Sequence, residues 1–243
     1  MKSKKILALF AAGMISFATS ANAAYNLTLC GASPGGLWSM LGAGVDAAVK
    51  KSHPGSIVTY QTSGGGFANV GLLEQGKCDL ALIHDAEAVL ARDGKAPFKE
   101  PIDGIRTVAV MYTWAPMQMI MNKDFAEKHG ISKLSDIAKN KAPVRVLLNK
   151  RGNVASHVGA SMLAAAGADS DPIKSWGGDV VFAASKEQGE LMRDRRADVL
   201  LNSLFVNHRS IRQLAEALDL VLVEIDSDAT SSVTADWNIG TYP

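Results

Sequence analysis

Three glycines in succession, Gly64-Gly65-Gly66, stand where the hydrophobic pattern changes period. Residues 56–60 before them alternate as a β-strand does, and residues 70–74 after them follow a helical pattern. Three consecutive glycines cost a helix or strand too much conformational entropy to lie inside one. The stretch Gln61-Thr62-Ser63-Gly64-Gly65-Gly66-Phe67-Ala68-Asn69 is therefore a junction at which backbone comes close to something. A strand that ends, turns on glycine and enters a helix exposes the helix's free N–H groups, an arrangement suited to anions. Two more polar strand–turn–helix junctions recur, at 31–36 and 149–153. Together they commit the chain to alternating strands and helices, hence to an α/β fold with parallel sheet.

The N-terminus stands apart. Lys2, Lys4 and Lys5 precede an apolar run over 6–17, and Ala21-Asn22-Ala23 follows as a small-residue cleavage signal. Residues 1–23 thus read as a cleavable signal peptide, with an apolar run too short to anchor in a bilayer. Its removal takes the net charge of +1 to −2, and such near-neutrality gives no bulk electrostatic basis for binding nucleic acid. Cys30 and Cys78 could oxidise in an exported protein. Both fall within or beside apolar strands, and free buried thiols are the expectation.

Along the chain, strands are expected at 25–30, 56–60, 79–83, 144–148, 180–182, 198–201 and 220–224. Helices are expected at 37–51, 70–75, 86–92, 125–129, 134–139, 155–166, 186–195 and 211–218. Residues 105–121 are apolar and β-rich, broken by Pro116, and read as two extended segments crossing between lobes. The halves echo each other. Leu72 to Leu82 resembles Leu191 to Leu201: a helix ends in polar residues and an aspartate, Asp79 or Asp198, opens an apolar strand. The expected divisions are lobe 1 over 24–113, lobe 2 over 114–225 and a return linker over 226–243 that heads for lobe 1. Strand C-termini and helix N-termini would face a shared crevice, where open α/β sheets bind ligands.

Gly31-Ala32-Ser33-Pro34-Gly35 fits the G-x-S-x-G nucleophile elbow. The residue after the nucleophile must donate its N–H to the oxyanion, and Pro34 has none. A serine hydrolase using Ser33 is therefore the lesser reading; Ser33 suits a helix N-cap, with Pro34 at the first helical position, and a ligand contact. Gly42-Ala43-Gly44-Val45-Asp46-Ala47 matches a loose dinucleotide pattern but lies inside a helical stretch. The five histidines lack metal-ligand spacing, so neither metal nor other cofactor is expected. Candidate ligand contacts are Ser33, Gly35, Gly36 and Trp38 at the first junction, and Thr62, Ser63, Gly64 and Asn69 at the second. His84 and Asp85 end a strand facing the crevice. Asn149, Arg151, Asn153 and Ser156 belong to the third junction, where Arg151 would clamp a carboxylate.

On these residues the chain resembles the TAXI family of solute receptors, the periplasmic binding proteins of TRAP-type transporters. The resemblance rests on the Gly31 to Gly36 turn with Trp38, the Gln61 to Gly65 turn with Asn69, the strand ending at His84-Asp85, and Gly240-Thr241-Tyr242-Pro243. It implies a periplasmic, monomeric type II binding protein: two α/β lobes joined by extended hinge segments, without catalysis. Its ligand would be a small organic anion or amino acid such as glutamate, glutamine or 2-oxoglutarate. The implied partners are membrane permease subunits; a receptor feeding a sensor kinase is the alternative. The second-lobe turn departs from the family's glycine-rich pattern, and the resemblance implies that a C-terminal part of lobe 1 is missing.

Overall fold

The structure, a computed structural model, describes residues 24–205 and 207–241. The expected signal peptide lies outside these residues, as do Tyr242 and Pro243 of the terminal motif. Strand β1 (Asn26–Cys30) is the centre of a parallel three-stranded sheet, flanked by β2 (Ile57–Gln61) and β3 (Leu80–Ala81). Helices α1 (Leu37–Ser52), α2 (Gly66–Glu74) and α3 (Asp85–Arg92) each follow a strand of that sheet. A five-stranded sheet forms the second lobe, in the order β6-β5-β7-β4-β8. Its strands are β4 (Met117–Asn122), β5 (Arg145–Leu148), β6 (Asp179–Phe182), β7 (Val199–Ser203) and β8 (Leu220–Val223). Only β4 runs antiparallel to its neighbours, because it enters from the other lobe. Around it lie α4 (Lys123–His129), α5 (Asp136–Lys139), α6 (Val154–Ala165), α7 (Ser170–Ser175), α8 (Ser185–Arg193), α9 (Arg209–Ala215) and α10 (Ser227–Trp237).

The internal echo is physical. Asp79 Oδ2 accepts the N–H of Thr28 on β1 at 2.8 Å, and Asp198 Oδ2 accepts the N–H of Arg145 on β5 at 2.9 Å. In both lobes the aspartate's own N–H returns to the same residue's carbonyl at 3.0 Å. One side chain thus sets the register between the central strand and the strand two strands later. Asp198 adds the Arg145 guanidinium, which accounts for its deeper burial.

Packing is uneven. The second sheet is covered on both faces, with Met119, Met121, Val146, Leu148, Val199 and Leu201 in one core and Ile120, Leu147 and Leu200 in the other. The first sheet buries only Leu29, Trp38, Val58 and Leu82 in its cluster.

Three expectations change. Cys30 and Cys78 are paired in a disulfide, not free, with Cα atoms 5.8 Å apart. The parallel neighbours β1 and β3 bring the two into the ordinary bridging range, which sequence spacing alone does not reveal. The linker expected over 226–243 is instead α10, packed on α6 in the second lobe. Ala229, Val233 and Trp237 recur every fourth residue on its inner face, and Trp237 Nε1 donates to Ser161 Oγ at 3.1 Å. Of the two extended segments expected over 105–121, the second is β4; the first, 105–115, crosses with no ladder of its own. The strand it would meet, β3, is two residues long at the sheet's edge, and Val108 and Val110 remain 82% and 73% exposed.

Candidate functional site

Between the lobes lies a cleft of about 750 Å³, its open mouth included, walled by strand-to-helix turns from both sheets. The first lobe contributes the turn between β1 and α1. Tyr60 on β2 fixes it: its hydroxyl accepts the N–H of Ala32 at 2.7 Å and donates back to the Ala32 carbonyl at 3.2 Å. Burial pushes the Tyr60 phenol up, so it stays a donor. Gly31 and Gly42 are the residues under its ring, and a Cβ on either would overlap it. The expected cap is displaced. Ser33 and Pro34 lie in the turn, Gly35 turns the backbone through φ +78°, and Gly36 is the N-cap without a side-chain cap. Ser33, Gly36, Leu37 and Trp38 line the cleft.

Trp38 Nε1 donates to the Tyr112 hydroxyl at 2.9 Å, and its ring lies 4.9 Å from the His84 imidazole. Burial, opposed by this bond and helped by the charges of Glu87 and Asp85, pushes the Tyr112 phenol up. It therefore keeps its own proton to give.

The second lobe faces these groups with Asn149, Lys150 and Asn153 from the turn after β5, and Ser185 and Lys186 from the start of α8. Ser203, Phe205 and His208 complete that wall. Asn149 is held by Asn202, which is in turn held by Gln188, in a buried amide chain. His208 Nδ1 accepts the N–H of Ser210 at 3.1 Å, and burial holds the imidazole's pKa down. The neutral ring then carries its proton on Nε2. Among the described residues the wall thus holds two lysines, two histidines and the Tyr112 hydroxyl, and none that lines it is an aspartate or glutamate. Such a surface attracts a negatively charged solute and supplies charge-assisted hydrogen bonds. A family model described as NMT1-like matches residues 29–242. The chain belongs to the NMT1-like family.

A search of curated proteins found no match. Among solved structures, this NMT1-like chain is similar to a binding protein component of an ABC phosphonate transporter from Pseudomonas aeruginosa. The two are 14% identical with a TM-score of 0.54, over 88% of this chain and 74% of that one. It is also similar to the binding protein MotA from A. tumefaciens B6, solved with glucopine, at 14% identity and TM-score 0.51 over 81% and 68% of the two chains. An ABC transporter protein from Rhodopseudomonas palustris CGA009 is 17% identical, TM-score 0.50, over 82% and 67%. The fold is the two-lobed α/β fold of type II periplasmic binding proteins.

Of the residues expected to meet a ligand, the structure brings Ser33, Gly36, Trp38, Gly64, His84, Asn149 and Asn153 to the cleft. Gly35 lies at its rim, opposite the Lys186 side chain. Others serve the scaffold. Asn69 is fully buried, and its Nδ2 donates to the carbonyls of Gly31 at 2.8 Å and Leu82 at 2.7 Å, tying two strand ends together. Ser63 bridges the Gly31 carbonyl and Asn69 Oδ1. Ser156 is buried, donating to the Asn153 carbonyl. Thr62 and Asp85 are exposed outside the cleft, and Asp85 bonds the N–H of Ala86. Arg151 is not brought to the cleft: its guanidinium lies 3.6 Å from the Phe182 ring centroid on the outer face, and Lys150 takes the inward position. Lys186, Ser185 and His208 escaped the sequence reading. The signal for the first two was a fourth strand–turn–helix junction, at 183–186, which lacks glycine.

Proposed function

We propose that the protein is a periplasmic receptor that captures a small organic anion, a carboxylate or amino acid, in the interlobe cleft and hands it to a membrane transporter. The observation that carries this reading is the cleft wall, where Lys150, Lys186, His84 and His208 gather and no described lining residue is acidic; Lys186 also pairs with Glu190, outside the lining, at 3.8 Å. The fold supports capture and release, and the A-x-A signal supports export. The TAXI resemblance favours TRAP-type permease subunits as partners, with a glutamate-, glutamine- or 2-oxoglutarate-like ligand. The similar phosphonate-transporter component makes phosphonates the comparison class. No catalysis is assigned: Ser33 stands in a turn beyond β1, followed by Pro34, which has no N–H to offer an oxyanion.

The test is calorimetry and thermal shift on the mature protein with glutamate, glutamine, 2-oxoglutarate and ethylphosphonate. At about 100 times Kd the bound solute should add roughly 2.7 kcal/mol of stability. Lys150→Met and Lys186→Met should each weaken binding about tenfold or more, as loss of a charge-assisted contact does. Preference for a cationic solute, or affinity indifferent to both lysines, overturns the assignment.

A further inference from the structure

Glu87 on α3 is fully buried, yet it is absent from the cleft wall. Its two oxygens serve two lobes. Oε2 accepts the backbone N–H of His84 at 2.9 Å and meets the His84 Nδ1 at 3.1 Å. Oε1 reaches into the second lobe and accepts the N–H of Val154, the first residue of α6, at 2.8 Å. The next free amide of α6, Ala155, is already capped by Asn153 Oδ1 at 2.9 Å. The helix start that the sequence offers to a ligand anion is thus filled by the protein's own carboxyl group. Two backbone amides, an imidazole nitrogen and the positive end of a helix are the partners such a buried group needs.

The glycines of the second junction fit this arrangement. A Cβ on Gly66 would overlap the Glu87 carboxyl group. A Cβ on Gly65 would stand 2.6 Å from the Gly152 carbonyl, and one on Gly152 would overlap Gly64. The same seam carries a backbone bond between lobes, Phe67 N–H to Gly152 O at 3.2 Å. Beside it the Phe67 ring meets His157 of α6 edge-on at 5.3 Å. The backbones come close here to each other.

We propose that Glu87 is a positioning residue. One oxygen locks the two lobes across this seam; the other holds the His84 imidazole against Trp38 with Nδ1 protonated, so the cleft is assembled before any solute arrives. With Oε2 already accepting the His84 backbone N–H, an ionised Glu87 carboxylate is met by a ring that presents Nδ1–H and leaves Nε2 for the cleft. The part played by His84 rests on the cleft being the binding site, whereas the interlobe contact does not. Every measurement below is made without solute, so failure here leaves the function proposed above untouched.

The experiment is nitrogen-15 NMR with amide exchange on the ligand-free mature protein, alongside small-angle scattering. In the wild type, His84 should show a protonated Nδ1. The Val154 and Phe67 amides should exchange together, about tenfold or more slowly than the amide of exposed Val108. Glu87→Gln leaves one oxygen where two are needed. It should speed Val154 and Phe67 exchange about tenfold while Val146 in β5 is unchanged, shift His84 toward the Nε2–H tautomer and raise the radius of gyration. Gly66→Ala keeps Glu87 but takes its space, and should do the same. Exchange within about twofold of wild type in both variants overturns the proposal. If the variants do not fold, the wild type decides: a Val154 amide as labile as that of Val108, or a His84 ring protonated only on Nε2, overturns it.

Discussion

Removing the Cys30–Cys78 bridge should cost the first lobe more than its position at the edge of one short strand suggests. The bond spans 48 residues of sequence, and closing a loop of that length in the unfolded chain corresponds to about 4 kcal/mol in the chain-entropy account. The loss falls on a lobe whose sheet has a small apolar cluster. Its core cluster buries only Leu29, Trp38, Val58 and Leu82, each contributing about 1.5–3 kcal/mol of apolar burial, so the bridge equals roughly two of them. Cys30 also ends β1, where its carbonyl accepts from the Leu82 N–H, and two residues on Ala32 begins the cleft wall. Cys30→Ala/Cys78→Ala, or the wild type under reductant, should therefore melt roughly 8–16 °C lower. In urea, near-UV signals of Trp38 should be lost before those of Trp176 and Trp237 in the larger lobe. The assay is paired urea and thermal unfolding of oxidised, reduced and double-variant protein, with thiol titration of the denatured wild type. Coincident curves for all three forms, or two titratable thiols in protein purified from the periplasm, would refute the reasoning.

Asn69→Ala should destabilise the protein by about 1–3 kcal/mol and weaken solute binding as well, because it leaves the Leu82 carbonyl without its donor and the Gly31 carbonyl with Ser63 alone; chemical denaturation and calorimetry measure both. Val233→Asp buries an unpaired carboxylate between α10 and α6 and should lower stability by about 3 kcal/mol or more, whereas a mobile linker at that position would tolerate the change. The Asp136 carboxylate accepts from the Ser132 N–H, its hydroxyl and the Lys133 N–H, which hold its pKa below the usual carboxylate value. The unfolded chain takes up that proton first on acidification, so the stability Asp136 contributes is present above about pH 4 and is lost as pH falls through the lower folded value. Asp136→Asn should accordingly be less stable than wild type at pH 7, with the gap narrowing in urea titrations as the pH falls below about 4.

What the sequence disclosed was periodicity, and it disclosed most of the second lobe. The strand at 144–148, the helix at 155–166 and the aspartates opening β3 and β7 follow from apolar spacing and local turn chemistry. The helix at 227–237 was hidden because its inner face is built from Ala229 and Val233 amid serines and threonines, too small a contrast to register as amphipathic. The disulfide depends on which strands become neighbours, a property of topology and not of spacing. Polar residues at the junctions could be located but not oriented. Asn69 and Asn149 look alike in sequence; the first is drawn inward by the carbonyl ends of two strands, while the second is steadied by Asn202 and lines the cleft. Arg151 and Lys150 are adjacent, and the Phe182 ring on the outer face decides which one turns away.

The close approach of Gly65 and Gly152 bears on how such a two-lobed protein can diverge. Each glycine is required by the main chain of the other side, not by a side chain, so no second substitution can compensate for the loss of either. Paired positions of that kind cannot drift together. Lys186 and Ser185 are bound by no such condition, since they project from the first turn of α8, and Lys186 is 72% exposed. Under the proposed function, descendants of this chain would exchange one solute for another by rewriting a single helix start, while the joint between the lobes passes from copy to copy unaltered.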